Sequence, residues 1–219
     1  MNVFDIIGPV MIGPSSSHTA GAARLGKVAK IMFGKNIKKA HIYMHGSFAK
    51  TGKGHGTDKA IIAGLLGMEP DNEKLRYSFE IAKEQGLEFE FSEIKLENVH
   101  PNTVRIELVG ENDDKLSMEG SSVGGGSILV YKLNNYEVNL NFENPSIVVV
   151  HTDHPGVIAK VTDELYKYGV NICDFHLSRK SKGGEALMTI GMDSMPDRKI
   201  EEDIYAIDYV SAVNILDRL

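Results

Sequence analysis

Beyond Asn144-Pro145 the chain alternates between period-two and helical apolar spacing in the order strand, helix, strand, strand, helix, strand, and that order restricts the fold more than any other feature. Strands are expected over 147–151, 171–178, 186–193 and 210–216, and helices over 156–168 and about 198–207, with Lys182-Gly183-Gly184 as the hairpin turn. The result is a βαββαβ unit.

The residues ahead of it read as a separate α+β domain. Ala22, Leu25, Val28, Ala29 and Met32 recur at helical spacing, so a helix is expected over 19–34, stopped by Gly34. A short strand over 40–46 and a buried helix over 57–67, capped by Thr57 or Asp58 and stopped by Gly67, place the glycine-rich run 45–58 as a loop between strand and helix. Residues 73–85 look helical, and a series of short alternating segments follows them as strands. Between two of these strands, the glycines of SSVGGGS make either a flexible hairpin or a place where backbone approaches a ligand or a neighbouring subunit. The domains are expected at 1–143 and 147–219, and 219 residues suffice for two of ordinary size.

Charge is divided unevenly. Residues 1–68 carry nine Lys and Arg, four His and 11 of the 22 Gly, against two carboxylates, Asp5 and Asp58. Residues 69–146 carry seven basic against sixteen acidic groups, and 147–219 eight against twelve. The first segment is suited to an anion, and its runs GPSSSHTAGAARLG and HGSFAKTGKGHGTD each lead into a helix, where backbone N–H groups and hydroxyls can face a carboxylate or phosphate. Nucleic acid is a poor fit, because the rest of the chain is acidic. A composition of 42% hydrophobic and 25% charged residues suits a soluble globular protein, and no apolar run approaches the ~20 residues that span a bilayer. The start of the chain lacks a secretory pattern, so a cytoplasmic protein without membrane contact is expected. Cys173 is the only cysteine, which leaves no internal disulfide, no Cys-rich zinc site and no iron–sulfur cluster held by this chain alone. The group His151 to His154 does not make a metal site, since consecutive residues at a strand end point in different directions.

His151, Asp153, Pro155-Gly156-Val157 and Gly169-Val170-Asn171-Ile172 resemble the ACT domain, a ferredoxin-like regulatory module of amino-acid metabolism. With SSSHTAGAARLG and TGKGHGTDKAIIAGLLG ahead of it, the whole chain resembles the beta chain of iron–sulfur-dependent L-serine dehydratase. The N-terminal domain is also similar to the allosteric substrate-binding domain of certain phosphoglycerate dehydrogenases. The resemblance to the dehydratase beta chain implies a two-chain enzyme that converts L-serine to pyruvate and ammonia. It also implies a 4Fe-4S cluster supplied by a separate alpha chain and no metal bound here. A non-catalytic ACT-type protein that senses an amino acid is the alternative.

Dehydrating serine needs a base for the weakly acidic α-proton, an electrophile at the β-hydroxyl and donors for the carboxylate. In this carboxylate-poor segment His18 is the first candidate for proton transfer, with His55 as a second catalytic candidate. Ser15, Ser16, Ser17 and Thr19 are candidates for substrate binding. One hydroxyl would suffice for a helix cap, worth ~1 kcal/mol, and four exceed that need. Lys53 and Gly54 join them as donors in the second run, which is no P-loop: Gly46 to Gly52 is one residue too long and Gly54 stands where Ser or Thr would hold magnesium. Lys53 and His55 flanking the glycines could equally sit in a plain glycine-rich turn. His41, His45, His100 and His176 are expected to be structural or surface residues. His151, Asp153, Gly156 and Asn171 match positions that meet a regulatory ligand in ACT domains. Asp153 departs from the Asn often found there, and pairing of two sheets into a homodimer is the plainer role for this unit.

Overall fold

The computed structural model describes Met11, Gly13 and residues 15–219; Asp5 and Pro14, and the side chain of Lys53, lie outside what it describes. The chain forms two compact units, Met1–Asn134 and Asn135–Leu219.

In the first unit a π-helical turn, Ser16–Gly21, runs directly into α1 (Ala22–Phe33). Of the apolar stripe expected of this helix, Ala22, Leu25, Val28 and Ala29 are buried and Met32 is half-buried, while Phe33 beside it enters the core. Gly34 ends it in the left-handed region at φ 64°, its N–H bonded to Lys30 O at 3.0 Å. There follow β1 (Ile37–His45), α2 (Gly46–His55), α3 (Thr57–Leu65), a 3-10 turn (Glu73–Tyr77), α4 (Ser78–Glu84), β2 (Glu88–Ile94), β3 (Thr103–Gly110), β4 (Lys115–Gly124) and β5 (Ser127–Leu133). The strands lie in the order β2-β1-β3-β4-β5, with β1 and β2 parallel and the other pairings antiparallel. Alternate residues Ala40, Ile42 and Met44 of β1 and Val104, Ile106 and Leu108 of β3 are buried, giving the sheet one apolar face. Helices α1 and α3 meet at Gly26 and Gly64, where an added Cβ would stand 2.2 Å from Ile61 O and 2.0 Å from Ala23 O respectively.

Two expectations are corrected. The glycine-rich run is no loop but helix α2, separated from α3 by Gly56 at φ 70°. Three glycines in ten residues disfavour a helix, yet Phe48 is completely buried, and burial of such a side chain (~2 kcal/mol) is of the size needed to offset that. The segment 73–85 is helical only from Ser78; before it Asn72 caps a 3-10 turn by accepting from Lys74 N at 2.9 Å. The triple glycine is a tight β4–β5 turn in which Gly124, Gly125 and Gly126 all take positive φ, and Arg24 Nη1 donates to Gly126 O at 2.7 Å.

The second unit consists of β6 (Tyr136–Leu140), β7 (Ser146–Thr152), α5 (Val157–Lys167), β8 (Ile172–Arg179), β9 (Glu185–Met192), α6 (Lys199–Tyr205) and β10 (Val210–Leu216). Strands β7 to β10 form an antiparallel sheet in the order β10-β7-β9-β8, the βαββαβ arrangement expected. Val157, Val161 and Leu165 of α5 and Ile200 and Ile204 of α6 close its core over Ile147, Val149, Met188 and Ile190. The unit begins earlier than residue 147. Tyr136 Oη donates to the Glu185 carboxylate at 2.9 Å, and Tyr136, Val138, Leu140 and Phe142 are buried. Among the described residues no helix is long and apolar enough to cross a membrane.

Candidate functional site

The two glycine, serine and histidine runs converge. The π-turn delivers His18, and α2 delivers Ser47, Phe48, Thr51 and His55 to the same place. Ser15 starts the turn: its hydroxyl accepts from His18 N at 3.2 Å, and its carbonyl accepts from Thr19 N at 2.8 Å. That winding fixes the His18 ring, which packs edge-on against Phe48 at 5.3 Å and lies 4.9 Å from the His55 ring. The Nδ1 of His18 is 3.4 Å from Ser15 Oγ, and its Nε2 is 3.1 Å from Thr51 Oγ1 and 3.3 Å from Ser47 Oγ.

The ring is half-buried, and its pKa falls below the ordinary histidine value. Burial is the main cause and the neighbouring His55 the second, while a hydrogen bond to the Ser47 carbonyl acts the other way. Both lowering effects penalise the imidazolium, so the His18 imidazole is neutral near pH 7. Titrating the free chain by NMR is expected to give His18 a midpoint below 6.5, and His55→Gln is expected to raise it by removing a like charge. A midpoint above 6.5, or no upward movement in the variant, would contradict this electrostatic picture.

The other candidates fall as follows. Ser16 and Ser17 lie on the turn and are half-buried, whereas Thr19 is buried with no partner for its hydroxyl among the described residues. Gly54 is the last residue but one of α2, where backbone N–H groups point back into the helix, so its amide does not offer the anion contact expected of a loop. An added Cβ there would meet nothing within 4 Å. Lys53 sits beside it on α2. His55 ends α2 with a buried Nδ1 that has no partner among the described residues. Ser47, Phe48 and Thr51 were missed by sequence reading; their spacing of one face per turn carries meaning only once the segment is known to be helical.

His45 is structural, its Nδ1 accepting from Leu96 N at 3.1 Å, and His41 lies 2.9 Å from the Glu90 carboxylate. In the second unit, His151 is buried and its Nδ1 donates to Thr152 O at 2.8 Å. The Asp153 carboxylate accepts from Gly183 N at 3.0 Å and from Arg179 at 2.5 Å, which holds its pKa below the usual range and ties the β7 end to the β8–β9 hairpin. Gly156, at φ 90°, starts α5. Asn171 bonds Asp193 at 2.6 Å, and the strand registers set it at the opposite end of the sheet from Asp153, so one chain does not bring these four residues together.

Among the described residues no group of three His, Cys, Asp or Glu is arranged to hold a metal ion. Cys173 lies on β8, exposed, in the other unit from His18.

Residues 2–86 match the family described as Serine dehydratase beta chain, and residues 146–208 match the ACT domain. The chain is 45% identical over 203 residues to the probable L-serine dehydratase beta chain of Bacillus subtilis (strain 168), covering 93% of this chain and 92% of that one. It is 34% identical over 208 residues to the L-serine dehydratase beta chain of Peptoniphilus asaccharolyticus, covering 94% of each. It is also 26% identical over 216 residues to the D-3-phosphoglycerate dehydrogenase of Methanocaldococcus jannaschii, covering 94% of this chain but 39% of that enzyme. The two family matches in this order, together with identity along nearly the full length of two beta chains, place this chain in the L-serine dehydratase beta-chain family.

Proposed function

We propose that this chain is the beta subunit of a cytoplasmic enzyme that converts L-serine to pyruvate and ammonia, and that it contributes the His18 site to a centre completed by an alpha chain. The observation that carries the reading is the convergence of His18, His55, Ser15, Ser47 and Thr51 from two separate runs onto one carboxylate-poor surface. A neutral imidazole there accepts the α-proton of serine, and the hydroxyls of Ser16 and Ser17 on the same turn orient the substrate carboxylate. Loss of the β-hydroxyl then leaves aminoacrylate, whose imine tautomer takes up water and releases ammonia and pyruvate.

Departure of the hydroxyl needs an electrophile. The donor set of this chain does not fit an iron–sulfur cluster, since a lone thiol on β8 cannot replace several converging cysteines. A 4Fe-4S cluster therefore belongs, in this proposal, to the alpha chain, and the isolated beta chain is inactive. The ACT-type unit would pair two copies or bind a regulatory amino acid. The similarity to a phosphoglycerate dehydrogenase along 94% of this chain favours a second reading, an amino-acid sensor without chemistry.

An anaerobic pull-down of the tagged chain from its host, with iron analysis and an L-serine to pyruvate assay on the eluate, separates them. A cysteine-bearing partner, iron and pyruvate are expected. Recovery of the chain alone, iron-free and inactive but binding an amino acid, would favour the sensor.

A further inference from the structure

The hydrogen bonds around His18 distinguish its two ring nitrogens. Nε2 faces two hydroxyl oxygens, Thr51 Oγ1 at 3.1 Å and Ser47 Oγ at 3.3 Å. The Thr51 hydroxyl spends its single proton on the Ser47 carbonyl at 2.9 Å, one turn back along α2, so toward Nε2 it presents a lone pair. The Ser47 hydroxyl lies 3.4 Å from Thr51 Oγ1, whose remaining lone pair can take its proton, and it then also turns a lone pair toward Nε2. Thr51, the nearer of the two and with no proton left to give, therefore requires a proton on Nε2, and Ser47 accommodates it. On the other side, Ser15 Oγ already accepts from the His18 amide at 3.2 Å and keeps its own proton free to point at Nδ1, 3.4 Å away.

We infer that Thr51, with Ser47, locks neutral His18 as the Nε2–H tautomer, which makes Nδ1, the nitrogen beside Ser15, the one that receives the substrate proton. Thr51 is then a positioning residue that acts through His18. The assignment of the proton to Nε2 stands on geometry alone; its catalytic consequence rests on the reading of His18 as the base. No bond forms or breaks at Thr51, and on accepting a proton at Nδ1 the ring becomes an imidazolium with both nitrogens protonated.

The test begins with the full chain, labelled with 15N-histidine, at a pH where His18 is neutral. Long-range 1H–15N correlation is expected to show a protonated Nε2 and a bare Nδ1 for His18. Thr51→Val, which keeps the shape and removes the acceptor, is expected to populate the Nδ1–H form, and Thr51→Ser to keep the wild-type pattern. In the enzyme reconstituted with its alpha chain, Thr51→Val is expected to lower kcat about tenfold or more at nearly unchanged KM, with Thr51→Ser restoring most of it. A wild-type spectrum with the proton on Nδ1, or a Thr51→Val chain that keeps both tautomer and kcat, would overturn the inference. Because the wild-type spectrum needs no variant, a misfolded Thr51→Val chain would not spare it. An Nε2–H spectrum together with a fully active His18→Ala enzyme would instead refute the base assignment and, with it, the role given to Nδ1.

Discussion

His18→Ala is expected to lower serine turnover by the reconstituted enzyme by about a hundredfold to ten-thousandfold, the range that removal of a general base produces. Assembly with the partner chain should survive. The fold does not lean on the imidazole: the ring is only half-buried, and the capping bond to Ser15 Oγ comes from the backbone N–H of residue 18, which alanine retains. The variant loses instead the proposed base, an imidazole held neutral by burial and by His55, with its orientation set by Phe48, Ser15 and Thr51. Pyruvate formation, circular dichroism and co-purification with the alpha chain would be measured on the same preparation. Loss of turnover with intact assembly is the expected result. Turnover close to wild type would remove His18 from the chemistry and shift attention to His55, whose Nδ1 is also buried and without a partner among the described residues.

The regular elements were readable because their signals are local. Gly34 follows the last buried residue of α1 and adopts the left-handed turn that such a position predicts, and the βαββαβ order of the second unit follows from its alternation of apolar periods. Helix α2 was not readable, because Gly46, Gly52 and Gly54 all argue against it and the compensating burial of Phe48 is a tertiary effect. That one misreading hid half of the site. Ser47 and Thr51 become neighbours only when residues four apart share a helix face, so the histidines and the serine cluster were visible and their hydroxyl partners were not. Asp153 shows the opposite limit. Nothing local reveals that Arg179, far along the chain and on β8, folds back to take up its charge. A carboxylate that looks available for a ligand is thus already engaged within the fold.

Gly64→Ala is expected to destabilise the chain, although the same change in most helices does the reverse. Within a helix, alanine is favoured over glycine by about 1 kcal/mol. At Gly64 the new methyl would stand 2.0 Å from Ala23 O and 2.6 Å from Lys27 N, both backbone atoms of α1, and no rotamer change relieves such a contact. Helices α1 and α3 would have to separate, drawing Leu25 and Ile61 out of a core where both are fully buried. Overpacking of this kind costs ~1–3 kcal/mol and occasionally more, and a contact with rigid backbone belongs at the upper end, so the steric cost exceeds the gain in propensity. Gly54→Ala supplies the internal comparison. It lies within α2 with nothing within 4 Å of its added Cβ, and should stabilise by about 0.5–1 kcal/mol. Thermal and urea unfolding of the two variants should therefore move in opposite directions, Gly64→Ala downward and Gly54→Ala upward. Stabilisation of the chain by Gly64→Ala would mean that α1 and α3 are not held at glycine-to-glycine distance. Since α1 continues from the turn that carries His18, the same variant is also expected to blunt turnover by displacing that ring from Thr51, whereas Gly54→Ala leaves the His18 contacts in place.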